Sequence, residues 1–532
     1  MSVLSTSAKG TSFLIIFQLA SRGFTFLINQ ILLRYMSPEI LGLSAQLDLY
    51  SRTVLSFSKD SIEVAAQRQP KNAQAVVNLA YLSIVFGGPL AYVLAALYLR
   101  TEIPHVPYFS QALWVYAISC VVELLAEPAF VAAQQRLLFR VRASAETIAT
   151  ISRCLLTCAV AVVATRLGSA PGVLPFAAGQ FAFATMTLVV YAVKIWPVSK
   201  AEKFSLFPTY IQGSEYIRGF FSKSLCRLSA SLLFQNLFKY VLTQGDGILI
   251  ATLASLSDQG AYALASNYGG LIARMLFQPI EETSRTIFAQ LCSTEDVNPL
   301  KEKEMSGKEI APKTQPDNKV QSARELLQNV LKLYSIIGLV ACTIGPSVAP
   351  ILLRIVAGAQ WADTQASPVL VTYCYYIPLL AINGVTEAFV AAVAPNPILH
   401  IQSGLMGLWF LLFSAATWFF MRVLDLGARG LVLANCVNMV LRICFNGWFF
   451  TSFFRENKQD FQWASIMPNS MSIASAIGAW SILHSGLNSS VPLQGHLQDI
   501  VFTSVITGVF GLSLLYSERS FLLPFMKPLL RR

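Results

Sequence analysis

The chain has 532 residues, of which 55% are hydrophobic and only 13% charged, about half the charged share of an ordinary soluble protein. A mean hydropathy of +0.56 leaves too little polar surface to cover a soluble core of this size, which excludes a soluble enzyme, a secreted disulfide scaffold and a fibrous or disordered chain. The 39 basic residues exceed the 28 acidic ones by 11. A polytopic membrane protein keeps such a surplus in its cytosolic loops. No nucleic-acid motif accompanies it, so no nucleic-acid partner is expected.

The first apolar run, 12–33, is long enough to span a bilayer at about 1.5 Å per residue. No small-residue cleavage site closes it, so it is expected to stay as the first helix. Helical spans follow at 41–66, 76–98, 110–133, 145–165, 172–193, 226–255, 260–291, 326–353, 366–392, 399–421, 429–453, 464–485 and 499–517, fourteen in all. The second and eighth carry charges and are weak on hydropathy. They are accepted because they preserve the topology and resemble each other. Residues 194–225 read as a cytosolic linker. Residues 292–325 mix both charge signs, lack aromatics and read as a disordered cytosolic loop.

With the N-terminus in the cytosol, the cytosolic loops collect Arg136, Arg140, Lys194, Lys203, Lys301, Lys313 and Arg455, and the C-terminal tail adds Lys527, Arg531 and Arg532. The other side holds few basic residues, so the bias places both termini in the cytosol. Asn488-Ser489-Ser490, in the last non-cytosolic loop, is a candidate glycosylation site or a chance match too close to the membrane. The nine Cys lie mostly in apolar runs without a CxxC pair, and the four His are scattered. Neither a disulfide framework nor a metal site is expected, and no cofactor.

Helices two and eight share one pattern. Under a shift of 218 residues Gly42 falls on Gly260, Tyr50 on Tyr268, Ile62-Glu63 on Ile280-Glu281 and Asp60 on Gln278. Parallel repeats of this kind build many transporters. The expected architecture is all-α. A six-helix bundle over 1–193 and a second over 226–453 surround a central cavity, and 454–532 supplies two extra helices and a tail.

A charge at a helix centre costs about 2.5–3.5 kcal/mol on insertion scales, so charges inside spans face a cavity or a partner. The first helix carries Arg22 and Asn29, with Arg34 just after it. The second carries Asp48, Arg52, Lys59, Asp60 and Glu63, and Lys59 and Glu63 are four apart and able to pair. Helix four has Glu123 and Glu127 before Pro128; helix five has Glu146 and Arg153; helix seven has Lys239 and Asp246. Helix eight has Arg274, Gln278, Glu281 and Glu282, helix ten Asn383 and Glu387, and helix twelve Asn435, Asn438 and Arg442. Helices thirteen and fourteen hold almost nothing polar. The charged set is expected to line a water-filled cavity; the competing reading makes its members buried pairs that lock helices together. Arginine grips phosphates bidentately, and acids with Asn amides suit sugar hydroxyls, so the set fits a pyrophosphate-linked sugar lipid.

No Walker A sequence, HExxH, GxSxG or kinase set is present, and no luminal loop is large enough for a membrane glycosyltransferase. An enzyme is not expected.

Five strings carry a resemblance, FTFLINQILLRYMSPEILG (Phe24 to Gly42), VVELLAEP (Val121 to Pro128), NYGGLIARMLFQPIEE (Asn267 to Glu282), YIPLLAINGVTEAF (Tyr376 to Phe389) and LANCVNMVLRI (Leu433 to Ile443), and within them FQPIEE and AINGVTE are specific. On these the chain resembles the eukaryotic Rft family, in the superfamily of multidrug exporters and bacterial lipid II flippases. The resemblance weakens in the two long loops and the last two helices. It implies two six-helix bundles around a V-shaped cavity, an endoplasmic reticulum membrane, and functional positions at Arg34, Glu123, Glu127, Arg274, Glu281, Glu282, Asn383, Glu387 and Arg442, with Arg22 as a basic residue of the first helix.

Three functions follow as expectations. The first is translocation of the Man5GlcNAc2-diphosphodolichol lipid from the cytosolic to the luminal leaflet for N-glycosylation. The second is a binder that delivers this lipid without moving it. The third is an ion-coupled antiporter of small molecules, for which Asp60, Glu63 and Glu281 are the plausible carboxylates.

Overall fold

The computed structural model describes residues 23, 26–67, 73–100, 104, 106–136, 138–212, 216–292, 316–362, 364–485 and 496–523. Arg22 and Asn488 lie outside the described residues. The chain forms two compact units, Met1–Gly260 and Ala261–Arg532.

The first unit opens with helix α1 over 26–33. Helix α2 (Pro38–Leu55) starts where the Ser37 hydroxyl accepts the Ile40 N–H and Pro38 presets the first turn. It runs through a π turn, Ser56–Asp60, into α3 (Ser61–Gln67). Helix α4 spans Ala73–Tyr98. Helix α5 (Phe109–Leu125) gives way at Ala126 to α6 (Glu127–Gln135), because Pro128 has no N–H and its ring crowds the carbonyl four residues back. Helices α7 (Phe139–Arg166), α8 (Leu174–Ala201) and α9 (Lys223–Leu253) complete the set. The core joins Leu43, Leu47, Tyr50 and Val54 of α2 to Phe109, Leu113 and Tyr116 of α5 and to Ala91 and Ala95 of α4.

At one crossing two backbones nearly touch. A Cβ on Gly42 would lie 2.1 Å from the Leu256 carbonyl oxygen, and one on Gly260 would lie 1.9 Å from that of Pro38. Only glycine fits either position. Gln46 then donates to Gln259 Oε1 (2.8 Å) and accepts from the Tyr98 hydroxyl.

Helix α10 (Leu256–Ile272) crosses from the first unit into the second. A π turn, Ala273–Phe277, leads into α11 (Gln278–Leu291). Helices α12 (Pro316–Val356), α13 (Ala359–Ala362), α14 (Ala366–Val393), α15 (Asn396–Trp418), α16 (Gly427–Glu456), α17 (Ser470–His484) and α18 (His496–Ser517) follow. Phe389 of α14 packs its ring on Phe288 and Phe454, with centroids 5.0 and 5.3 Å away. Ile336 and Ile344 of α12 hold Ala476 and Ala479 of α17 together with Phe510 and Leu514 of α18. Glu518, fully buried, accepts from the Asn469 N–H at the start of α17 and pairs with Lys332 of α12 at 3.4 Å.

Among the described residues nine helices are long and apolar enough to cross a membrane. Beyond these nine, the spans expected at 41–66, 226–255, 260–291 and 464–485 form helices α2–α3, α9, α10–α11 and α17, and the described part of the first span is helical. The chain is an all-α polytopic membrane protein of about fourteen spanning helices.

Two expectations need correction. Residues 316–325, read as part of the disordered 292–325 loop, form the first turns of α12, where an amphipathic run replaces the Lys-rich tract; residues 293–315 lie outside the described set. Residues 194–225 are not a plain linker. Helix α8 continues to Ala201, and the rest is tied to α4 by Asn78, which donates to the Thr209 and Phe220 carbonyls (2.7 and 3.0 Å), and by Tyr81, which donates to that of Leu206 (3.0 Å). A short hairpin pairs Tyr216–Ile217 with Phe221–Ser222. Just past α18, outside the expected span 499–517, stands the buried acid Glu518. Its partners Lys332 and Asn469 lie 186 and 49 positions back in the chain, beyond the reach of any local pattern.

Candidate functional site

The polar residues of the spans gather in distinct groups. In the first unit the π turn Ser56–Asp60 inserts one extra residue into the helix between α2 and α3. Lys59 sits on it, with Nζ 3.5 Å from Glu63, 3.6 Å from Glu123 and 3.8 Å from Glu127. Glu123 lies in the last turn of α5 and Glu127 begins α6, so the break at Ala126 delivers both carboxylates to one ammonium. Asp60, next to Lys59 in the chain, accepts from the Ser56 hydroxyl. Phe130 offers its ring to Lys59, 5.7 Å from the centroid. One cation thus faces three carboxylates, in a protein interior where charge is poorly screened.

A second group joins α2 to α7. Arg153 donates to Asp48 Oδ1 at 2.6 Å, and the buried Tyr116 hydroxyl donates to the same oxygen at 3.1 Å. Arg153 is therefore engaged by a partner in its own unit.

The second unit has its own group on α14 and α16. Arg442 donates through Nη2 to both carboxylate oxygens of Glu387, at 2.8 and 2.7 Å, and Asn383 donates to Oε2 at 3.0 Å. Asn446 donates to Thr386 at 3.2 Å. Glu281 of α11 leans on Gly384 so closely that a Cβ there would lie 1.8 Å from Oε1. The missing side chain at Gly384 admits a second carboxylate next to Asn383. Asn435 donates to the Tyr262 hydroxyl at 3.3 Å, and Gln278 to Glu282 at 2.9 Å.

The structure thus joins Lys59 with Glu63, Glu123 and Glu127, and Arg442 with Glu387 and Asn383. Other predicted positions stand elsewhere. Arg34, after α1, and Arg52, on α2, are exposed, as is Lys239 on α9. Asp246 Oδ1 accepts from the Gly247 N–H at 2.9 Å. Asn29 and Asn438 are half-buried. Arg274 occupies the second π turn. The sequence set left out Thr386 and Asn446. Asn446 lies four residues after Arg442 and so shares its helix face, which was the available signal.

Charged groups tucked between otherwise apolar spanning helices, in an all-α frame, define a polytopic membrane protein. The structure is similar to the lipid II flippase MurJ in an inward closed conformation, with a TM-score of 0.59 at 13% identity over 96% of this chain and 99% of that one. It is also similar to an inward-facing multidrug resistance MATE family transporter, with a TM-score of 0.53 at 10% identity over 81% of this chain and 95% of that one. The chain belongs to the Rft family: the family model described as Rft protein matches residues 6–527. Its relatives include proteins named Man(5)GlcNAc(2)-PP-dolichol translocation protein RFT1. That of Schizosaccharomyces pombe is 32% identical over 97% of this chain and 94% of its own length. That of Yarrowia lipolytica is 32% identical over 89% of this chain and 74% of its own, and that of Xenopus tropicalis 30% over 83% and 81%.

Proposed function

We propose that the chain moves Man5GlcNAc2-diphosphodolichol from the cytosolic to the luminal leaflet of the endoplasmic reticulum, where the glycan serves N-glycosylation. The observation that carries this reading is the nearly full-length kinship with proteins bearing that translocation name. The flippase fold supports it, because a headgroup this polar needs a protein path across the hydrocarbon. The chemistry of each unit fits a charged saccharide. Arginines such as Arg52 and Arg442 suit the pyrophosphate, and carboxylates and amides such as Asn383 and Glu387 suit hydroxyls. Moving a lipid makes and breaks no covalent bond, so no enzyme activity and no cofactor are part of the proposal. Both termini are assigned to the cytosol because the basic loops and tail then lie on the cytosolic side.

The test reconstitutes the purified protein into liposomes with the lipid-linked oligosaccharide and follows its exposure to an external probe. Movement above protein-free vesicles, lost in Arg442→Ala, supports translocation. Binding of the lipid without movement overturns it in favour of delivery.

A further inference from the structure

The strap between α8 and α9 belongs to the first unit and lies across the first turns of α4. Helix α4 has 26 residues and rises about 39 Å, more than the roughly 30 Å of hydrocarbon in a bilayer, so its ends stand among the headgroups. The strap's backbone is satisfied from behind. Gln74 Oε1 accepts from the Ser205 N–H at 2.8 Å, and Gln74 Nε2 donates to the Phe207 carbonyl at 3.1 Å. Asn78 Oδ1 accepts from the Thr209 N–H at 3.1 Å, beside the two bonds Asn78 donates, and the Ile211 N–H donates to the Gly219 carbonyl at 2.7 Å. With these polar groups turned to protein, the strap can meet a membrane surface without stranding them.

The outward side chains combine rings with basic groups. Phe207 is 63% exposed and Tyr210 67%, a large ring area to leave in water. Tyr210 is held in place: it packs edge-on against Phe220 with centroids 6.0 Å apart, and a Cβ on Gly219 would lie 2.0 Å from its Cε2. Lys203 and Arg218 flank the rings in the chain, both exposed and both in the left-handed backbone region, at φ 56° and 51°. Glycine or asparagine is the usual residue at either place, just past the end of a helix and in a tight hairpin turn. Trp196, exposed on α8 after the exposed Val189 and Val193, carries the Lys200 ammonium over its ring at 5.5 Å. Between 194 and 225 the chain has five basic residues against two acidic ones, and Glu202, one of the two, is taken by Arg136 at 2.5 Å.

We propose that this strap docks on the anionic phospholipid headgroups of the cytosolic leaflet. Lys200, Lys203 and Arg218 take the headgroup anions, and the Phe207 and Tyr210 rings sit beneath them at the glycerol level. Charge complementarity chooses this occupant. An apolar protein face would match the rings and not the cations, whereas an anionic membrane surface supplies both at one depth, beside a spanning helix. The proposal rests on the cytosolic placement of this loop and stands apart from the translocation reading, so its test does not depend on transport.

The test titrates the purified full chain in detergent with phosphatidylserine or with phosphatidylcholine and reads retained lipid by native mass spectrometry. The wild type is expected to half-saturate at a lower concentration of phosphatidylserine. Lys203→Gln combined with Arg218→Gln is expected to raise that concentration by about tenfold or more and to leave phosphatidylcholine retention unchanged. Arg455→Gln combined with Lys458→Gln removes the same charge from another cytosolic loop and is expected to change it far less. The second measurement places Phe207→Trp in nanodiscs containing phosphatidylserine, where brominated acyl chains are expected to quench the emission that this variant adds to the wild type. Equal retention of the two lipids by the wild type would overturn the proposal, as would equal losses in the two double variants. Added emission that bromine leaves unquenched would also overturn it and would make the strap a face for a protein partner.

Discussion

The α2–α3 and α10–α11 segments are two versions of one design. Both contain a glycine at the α2–α10 crossing, both are interrupted by a π turn, and both place Ile-Glu just beyond it. The second π turn falls one residue earlier in the shared register than the first. They differ in how the glutamate after the turn meets its surroundings. In the first, Lys59 stands four residues before Glu63 and gathers Glu123 and Glu127 as well. In the second the position aligned with Lys59 is Phe277, buried against Tyr334 with ring centroids 5.2 Å apart. Its unit's cation comes from a different helix, as Arg442 on Glu387. The backbone interruption is thus the shared element, and the electrostatic partner is not. A π turn needs only one extra residue in the helical ladder, whereas a charge pair needs chemistry at two places.

The largest expected effect breaks the first version. Lys59→Met leaves three carboxylates without their cation and is expected to cost about 3–5 kcal/mol at neutral pH, as for a broken buried pair. Thermal unfolding in detergent reads the loss. Acidification is expected to recover part of it, because protonation removes the uncompensated charge. Arg442→Ala breaks the second version and strands one carboxylate in a more open setting. We expect about 2 kcal/mol of destabilisation, below the fully buried case, with at least tenfold slower translocation in liposomes. Equal losses for the two variants would contradict the difference in charge balance.

Gly42→Ala and Gly260→Ala test the element both versions share. Each Cβ would meet a carbonyl oxygen at about 2 Å, so backbone must shift, and about 1–3 kcal/mol of destabilisation is expected. Gly478→Ala is the control, with nothing within 4 Å of its Cβ. In the middle of α17 it is expected to stabilise by about 0.5–1 kcal/mol. The smallest effect is expected from Glu282→Gln, whose exposed contact with Gln278 is worth no more than about 0.5 kcal/mol.

Much of the fold was legible in the sequence. Long apolar runs fix spanning helices because no other segment satisfies its backbone in hydrocarbon. The repeat in helices two and eight was visible from four aligned positions, although those spans were the weakest on hydropathy. The Lys59–Glu63 pair followed from i,i+4 spacing alone. Tertiary structure decided the rest. Glu123 and Glu127 meet Lys59 only because α5 breaks at Ala126, where Pro128 marks the break, and a π turn, which has no local spacing rule, re-aims the lysine. Arg442 could have faced a ligand or a partner; the packing of α14 on α16 gives it Glu387, 55 positions away in the chain. Arg153 likewise finds Asp48 across 105 positions. Periodicity along one helix sets which residues share a face, and only the packing of several helices sets which charges meet.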